Sequence, residues 1–205
     1  MKDCIFCQIR KIESDILFKS NNFFVKVGVG ILAPGHVMIV PKKHISCFGE
    51  LPKQLNKEFI LIKNQVIDRI KSNISDPIIY EHGIYNQSIS HAHLHFVPAK
   101  NEYYHLQNIK EKLFRGSKST QISSMSQLVD IFRKEGSYIY LEEMGKKWIF
   151  HTKGQPEGKF TFRKEFARLT GSHSIVKWQT MTEEEKLRDK MWTDLTKNFL
   201  NETTP

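Results

Sequence analysis

The sequence contains the stretch Ser90-His91-Ala92-His93-Leu94-His95-Phe96-Val97-Pro98, in which histidines occupy every second position and apolar residues lie between them. Side chains of a β-strand alternate between its two faces. The pattern therefore predicts a strand with the three histidines on one side and the apolar residues packed on the other. Imidazoles act near neutral pH as nucleophiles, proton carriers or metal ligands. This stretch is the first candidate for a functional site, and a histidine-rich strand that only stores metal is the alternative.

Three further segments accompany the histidines in a fixed order. Residues 4–9 read CIFCQI, residues 33–45 read APGHVMIVPKKHI, and Gln87-Ser88 directly precede the histidine stretch. Together these segments resemble the histidine triad superfamily of nucleotide hydrolases and transferases, over about the first half of the chain. The resemblance implies an α+β fold with a mostly antiparallel sheet packed with helices. It places a histidine triad domain at residues 1–105 and an α/β extension of helices and a strand pair, packed on that domain, at residues 106–205.

The same resemblance implies a reaction and the residues that perform it. The enzyme would cleave a nucleoside monophosphate from a phosphoramidate, a dinucleoside polyphosphate or a similar adduct through a nucleotidyl-histidine intermediate. His93 would be the nucleophile, assisted by His91 and His95. Gln87, Ser88 and His95 would contact the phosphate or the leaving group. The expected partner is then a small-molecule nucleotide, and the expected assembly is a homodimer.

A metal site is the second expectation, because Cys4 and Cys7 form a Cys-x-x-Cys pair. Two thiolates at this spacing can hold one tetrahedral metal ion, but zinc needs two further ligands. A redox dithiol and a pair of small buried side chains are the other interpretations. Zinc-containing bacterial members of the superfamily are similar here, and the resemblance implies a structural zinc ion held by Cys4, Cys7, His44 and His91.

One position departs from the superfamily pattern. Many members carry an acidic residue eight positions before the histidine of the Pro-Gly-His turn, where it binds the ribose hydroxyls. That histidine is His36, and the corresponding position is Gly28, which has no side chain to accept a hydrogen bond. Gly28 either allows close approach of a ligand to the backbone or marks a bulge. Ribose recognition by the usual route is therefore not expected.

Two other functions stay open. The net charge of +9 suits a polyanionic ligand, so one alternative is an enzyme that removes an adenylate from the end of a nucleic acid. The other is a non-catalytic RNA-binding or splicing-type adaptor that retains the triad. The second half of the chain resembles the C-terminal part of proteins associated with lariat debranching and splicing in the order of Tyr138-x-Tyr140-x-Glu142, Trp148-x-Phe150-His151, Phe162-x-x-x-Phe166-x-Arg168-Leu169 and Trp178.

Composition and periodicity complete the expectations. No apolar run is long enough to cross a bilayer, no signal peptide is recognisable, and three cysteines do not suggest a secreted disulfide framework, so a cytoplasmic protein is expected. Apolar residues recurring every three or four positions predict a helix over residues 51–71. The other predicted elements are strands at 23–27, 36–40 and 78–81, a helix at 123–134, a strand pair at 137–142 and 147–151, a loop at 154–158, a helical segment at 159–169 and a helix after Thr182.

Overall fold

The computed structural model describes residues 4–28, 30–85, 87–99, 117–153, 166–167 and 180–201. Its strands are β1 (Ile16–Lys19), β2 (Phe23–Val27), β3 (Val37–Pro41), β4 (Pro77–Glu81), β5 (Leu94–Pro98), β6 (Ser119–Ile122), β7 (Tyr138–Glu143) and β8 (Lys146–His151). They form one antiparallel sheet in the order β1-β2-β3-β5-β4-β7-β8-β6. The predicted α+β class with an antiparallel sheet is confirmed.

The described residues also contain three α-helices, α1 (Asn56–Asn73), α2 (Leu128–Glu135) and α3 (Glu183–Asn201). None of these helices is long and apolar enough to cross a membrane. The predicted apolar stripe of α1 is confirmed, since Phe59, Ile62, Val66 and Ile70 are buried against one face of the sheet. The helix begins at Asn56 instead of residue 51, because a short 3-10 turn, Lys53–Leu55, follows Pro52.

The two halves of the chain share the sheet. β4 pairs with β5 on one side and with β7 on the other, so the strands of the second half continue directly from those of the first. β7 and β8 are joined at Met144 and Gly145, which have φ values of 47° and 80°. Two residues with positive φ form the tight turn that suits the twist of a hairpin. The strand pair predicted around these two residues is confirmed, whereas the boundary between two domains stays a prediction.

The remaining sequence predictions have mixed outcomes. The helix at 123–134 is confirmed as a 3-10 turn (Met125–Gln127) leading into α2, and Gly136 ends it in the left-handed conformation with φ 77°. The helix after Thr182 is confirmed as α3, with Thr182 Oγ1 accepting a hydrogen bond from Glu185 N at 3.2 Å. The loop at 154–158 and the segment at 159–169 lie outside the described residues, apart from Phe166 and Ala167.

The histidine stretch does not form a strand along its whole length. β5 begins at Leu94, so His95 lies in the strand while His91 and His93 precede it. The backbone bends there because His91 N donates to Ile89 O at 2.8 Å and Ala92 N donates to Ile45 O at 2.7 Å. The strand prediction is therefore wrong for the first half of the stretch, and the three imidazoles do not form one row.

Candidate active site

The centre of the site is a group of buried histidines beside the first residues of β5. His36 directly precedes β3 and His82 directly follows β4, and because both strands flank β5, they bring these two side chains next to His95. His36 Nε2 and His95 Nδ1 are 3.0 Å apart and share a hydrogen bond. The ring of His95 is centred 4.9 Å from that of His93 and 6.3 Å from that of His82. The sequence stretch accounts for only two of these four histidines.

His93 is held in one orientation by the backbone. Its Nδ1 lies 2.6 Å from the carbonyl oxygen of His91, which can only accept, so Nδ1 carries the proton and donates it. The other nitrogen, Nε2, then has a lone pair in the neutral imidazole. The ring is 5% exposed and packs against Phe6, with ring centroids 5.4 Å apart. His93 therefore has the tautomer that a nucleophile requires.

The ring of His91 belongs to a different part of the site. Its Nε2 donates to Pro41 O at 2.8 Å, and its Nδ1 lies 3.4 Å from Cys4 Sγ and 3.6 Å from Cys7 Sγ. Burial lowers the pKa of His91, and the nearby His44 lowers it further, although the hydrogen bond to Pro41 opposes both. Neither ring nitrogen of His91 therefore contacts His93. The contact between the two residues is the hydrogen bond that the carbonyl oxygen of His91 accepts from His93.

Cys4, Cys7, His44 and His91 form a compact metal-ligating cluster. Their four ligand atoms all lie within 4.8 Å of one another, and Cys7 Sγ is 3.3 Å from His44 Nδ1. In a tetrahedral zinc site, a sulfur at about 2.3 Å and a nitrogen at about 2.05 Å from the ion are about 3.6 Å apart. The sulfur–nitrogen distances in the cluster, 3.3–3.6 Å, are close to this value. The second ring nitrogen of His91 donates to Pro41 O, as the second nitrogen of a zinc-bound imidazole usually does to a nearby acceptor. These residues fit zinc.

Gln87 and Ser88 lie in the loop before the histidines. Gln87 Nε2 donates to Ser46 O at 3.0 Å and to His91 O at 3.3 Å, so its amide group holds two backbone segments together. Ser88 is exposed. A contact of either side chain with phosphate stays a prediction.

Aromatic residues that the sequence analysis did not connect with the site fix the position of His95. The ring of Tyr80 stacks on that of His95, with centroids 4.3 Å apart and an interplanar angle of 9°. The ring of Phe166, from the second half of the chain, packs against that of Tyr80, with centroids 5.0 Å apart. Tyr80 and His95 are cross-strand partners in β4 and β5, so only knowledge of the strand order would reveal the stack. His36 had a clearer signal in its Pro-Gly-His turn.

The structure explains the glycine at the position where many superfamily members are acidic. A Cβ atom on Gly28 would lie 2.7 Å from Nδ1 of His36 and 2.8 Å from its Cε1. The imidazole of His36 therefore fills the space that a side chain would need. Nearby, Lys26 is buried, its Nζ donates to Val27 O, and burial lowers its pKa to about 8. A carboxylate at position 28 is incompatible with the observed position of His36.

The second half of the chain also fastens the turn that precedes His36. Asp189 Oδ1 accepts a hydrogen bond from Ile31 N at 2.7 Å, and Thr196 Oγ1 accepts one from Gly35 N at 2.8 Å. Both side chains project from α3. This helix therefore takes part in positioning the loop that carries His36.

The fold and the buried histidines together define a histidine triad (HIT) protein. The sequence family described as "Protein similar to CwfJ C-terminal" matches residues 1–112, more than half of the chain, and the chain belongs to that family.

The chain is also similar to individual proteins over about half of its length. An uncharacterized HIT-like protein of Methanocaldococcus jannaschii is 27% identical over 100 residues, which cover 46% of this chain and 78% of that protein. An adenosine 5'-monophosphoramidase of Saccharomyces cerevisiae is 26% identical over 101 residues, 48% of this chain and 64% of the yeast protein. A HIT family hydrolase from Clostridium thermocellum is 25% identical, covering 50% of this chain and 95% of that structure, with a TM-score of 0.42.

Proposed function

We propose that this protein releases a nucleoside monophosphate from a phosphoramidate, a dinucleoside polyphosphate or a similar adduct, through a covalent intermediate on His93. The observation that carries the proposal is the 2.6 Å hydrogen bond from His93 Nδ1 to His91 O, which puts the proton on Nδ1 and the lone pair on Nε2. Similarity to adenosine 5'-monophosphoramidases of three yeasts supports a substrate of this class.

The reaction follows from the roles of the histidines. His93 Nε2 attacks the phosphorus atom, the bond from phosphorus to the amine or phosphate leaving group breaks, and the leaving group takes up a proton. Water then attacks the same phosphorus, and the bond between phosphorus and His93 breaks. His95, hydrogen-bonded to His36, donates the proton that the leaving group takes up and recovers a proton from the attacking water, so both histidines end in their starting states. Donors that face the phosphoryl oxygens stabilise the charge that develops there, and His95 is the candidate for this role.

The metal-ligating cluster has a structural role in this proposal and takes no part in the chemical steps. When bound by Cys4, Cys7, His44 and His91, zinc supplies a structural crosslink between three segments of the chain. His91 then contributes as a ligand through its ring and as a positioning residue through its carbonyl oxygen. Free cysteines are typical of proteins in reducing compartments, which supports the expected cytoplasmic location.

The test compares the wild-type protein with His93→Ala. We expect amine release from adenosine 5'-phosphoramidate by the wild type and a loss of about 10³-fold or more in the variant, because the nucleophile is removed. Zinc content should be equal in both proteins, since His93 is not a ligand. The matched control is His151→Ala, which alters a histidine on β8 and should retain activity.

A wild-type protein with a full complement of zinc that turns over neither a phosphoramidate nor a dinucleoside polyphosphate would contradict the proposal. Adenylated nucleic-acid ends would then be the next substrates to assay. Salt-dependent binding to RNA without any turnover would favour the adaptor.

A further inference from the structure

A cavity lies on the face of the sheet opposite to His95, where α1 packs. It has a volume of about 590 Å³ and is bordered by α1, by the segment leading into α2, and by the β7–β8 hairpin. Its walls therefore come from both halves of the chain. Ligand sites in proteins commonly have volumes of 300–1,000 Å³ and often lie where two parts of a fold meet.

The cavity lies between a long helix and a short one. α1 has 18 residues and α2 has eight, which correspond to about 27 Å and about 12 Å at 1.5 Å per residue. A stripe of α1 faces the cavity. Phe59, Ile60 and Ile67 form the apolar part of this stripe, and Ile60 is 51% exposed.

The charged groups that line the cavity come from both walls, because Lys63 lies on α1 whereas Glu142 and Lys147 lie on the β7–β8 hairpin. Lys63 Nζ donates to both oxygens of Glu142, at 2.8 and 2.6 Å, and the hydroxyl of Tyr140 donates to the same carboxylate. This ion pair is buried, and its two charges cancel. Lys147 Nζ lies 3.8 Å from Glu142 and donates to Gly145 O at 3.0 Å, so its ammonium group adds a positive charge that the pair does not neutralise.

We propose that this cavity binds a small organic anion, with its apolar body against α1 and its acidic group at Lys147. An apolar wall facing a surplus positive charge is complementary to such a ligand and not to a neutral or cationic one. The occupant is a small molecule, because a volume of about 590 Å³ lies within the range of small-molecule sites, about 300–1,000 Å³.

Two fluorescent probes with the same ring system test the proposal on the full-length protein. 1-Anilinonaphthalene-8-sulfonate carries a sulfonate, and N-phenyl-1-naphthylamine lacks it. We expect the sulfonate probe to bind the folded wild-type protein saturably at one site. Lys147→Gln should weaken its binding about fivefold or more, because the charge contact is lost, and should leave binding of the neutral probe unchanged. The matched control is Lys146→Gln, which changes the neighbouring exposed lysine outside the cavity.

A second pair of variants tests the location. Asn64 lines the cavity and Gln65 is the next residue of α1 outside it, and both are exposed. Asn64→Trp should abolish binding of both probes by filling the space, while Gln65→Trp should change neither. The proposal is overturned if no saturable binding is found, if Asn64→Trp retains it, or if Lys147→Gln weakens both probes equally. All four variants should keep the phosphoramidate activity, so this outcome is independent of the chemistry at His93.

Discussion

Glu81 shows how one buried side chain connects the core to the site. At the end of β4 its carboxyl group accepts hydrogen bonds from Phe48 N at 2.7 Å and from the Tyr138 hydroxyl at 2.6 Å. Burial raises the pKa of Glu81 to about 7, although both hydrogen bonds act in the opposite direction. Phe48 begins a 3-10 turn four residues after His44, so Glu81 anchors the segment that follows this metal ligand.

This raised pKa predicts a pH-dependent stability. A carboxyl group with a pKa of about 7 in the folded state and about 4.3 when unfolded makes a contribution that is complete below the unfolded value and lost as pH rises through 7. We expect the free energy of unfolding of the wild type to fall by about 2–3 kcal/mol more than that of Glu81→Gln between pH 4.5 and pH 7.5. Urea denaturation at several pH values measures the difference.

Glu184→Gln, an exposed change in α3, is the matched control for Glu81→Gln and should follow the wild-type pH curve. Parallel curves for the wild type and Glu81→Gln would show that Glu81 does not titrate in this range.

Among the elements, the short 3-10 turn Ile5–Cys7 joins the metal cluster to the nucleophile. Phe6 is fully buried in this turn, and its ring packs against those of His91 and His93, with centroids 5.7 and 5.4 Å apart. The cysteines on either side of it face His91 and His44. A metal ion bound there would hold the turn that packs Phe6 against His93, and we expect the activity of His93 to depend on the metal site.

Removing one thiol tests that dependence. We expect Cys4→Ala to lower bound zinc to below about one tenth of stoichiometric, since it removes one of four ligands, and to lower kcat about tenfold or more through loosened packing at His93. Metal analysis and the phosphoramidate assay on the same samples measure both effects. Cys47→Ala is the matched control, because Cys47 is buried outside the cluster and should retain zinc. Full activity of zinc-free Cys4→Ala would contradict the coupling.

The elements also show what sequence could and could not predict. Strongly patterned segments such as β2, α1 and the β7–β8 hairpin follow from apolar spacing and turn residues. β6 was missed because Ser119, Thr120 and Gln121 give a short polar edge strand no apolar pattern. The bend before β5 was missed because it depends on Ile45, which lies far away along the chain and accepts from Ala92.

The candidate site likewise has features that the sequence predicts and features that it does not. The resemblance assigns all four metal ligands, and the structure brings their ligand atoms within 4.8 Å of one another. The pairing of His36 with His95 and the stacking of Tyr80 on His95 depend on which strands flank β5. That order is a property of long-range backbone pairing, which local sequence patterns do not encode.

At the scale of the whole molecule, the second half of the chain completes the sheet of the first. Its strand β7 uses the backbone groups of β4 that would otherwise form an open edge. The homodimer that the resemblance implies would therefore need another surface. Exposed edges in the described sheet are β1 and β6, each of only four residues. Short edge strands, polar in β6 and ending in Lys19 in β1, are typical of edges that avoid pairing.

We therefore expect a monomer. Light scattering coupled to size-exclusion chromatography should give a mass near 24.0 kDa over a wide range of protein concentrations, because β4 cannot pair with a second chain while β7 occupies it. The measurement should be repeated with Cys4→Ala, since a loss of zinc that exposed Phe6 would produce association for a different reason. A stable species of twice the mass in the zinc-loaded wild type would contradict the expectation. It would place the contact on a surface other than the edge of β4, because β7 pairs with that edge within each chain.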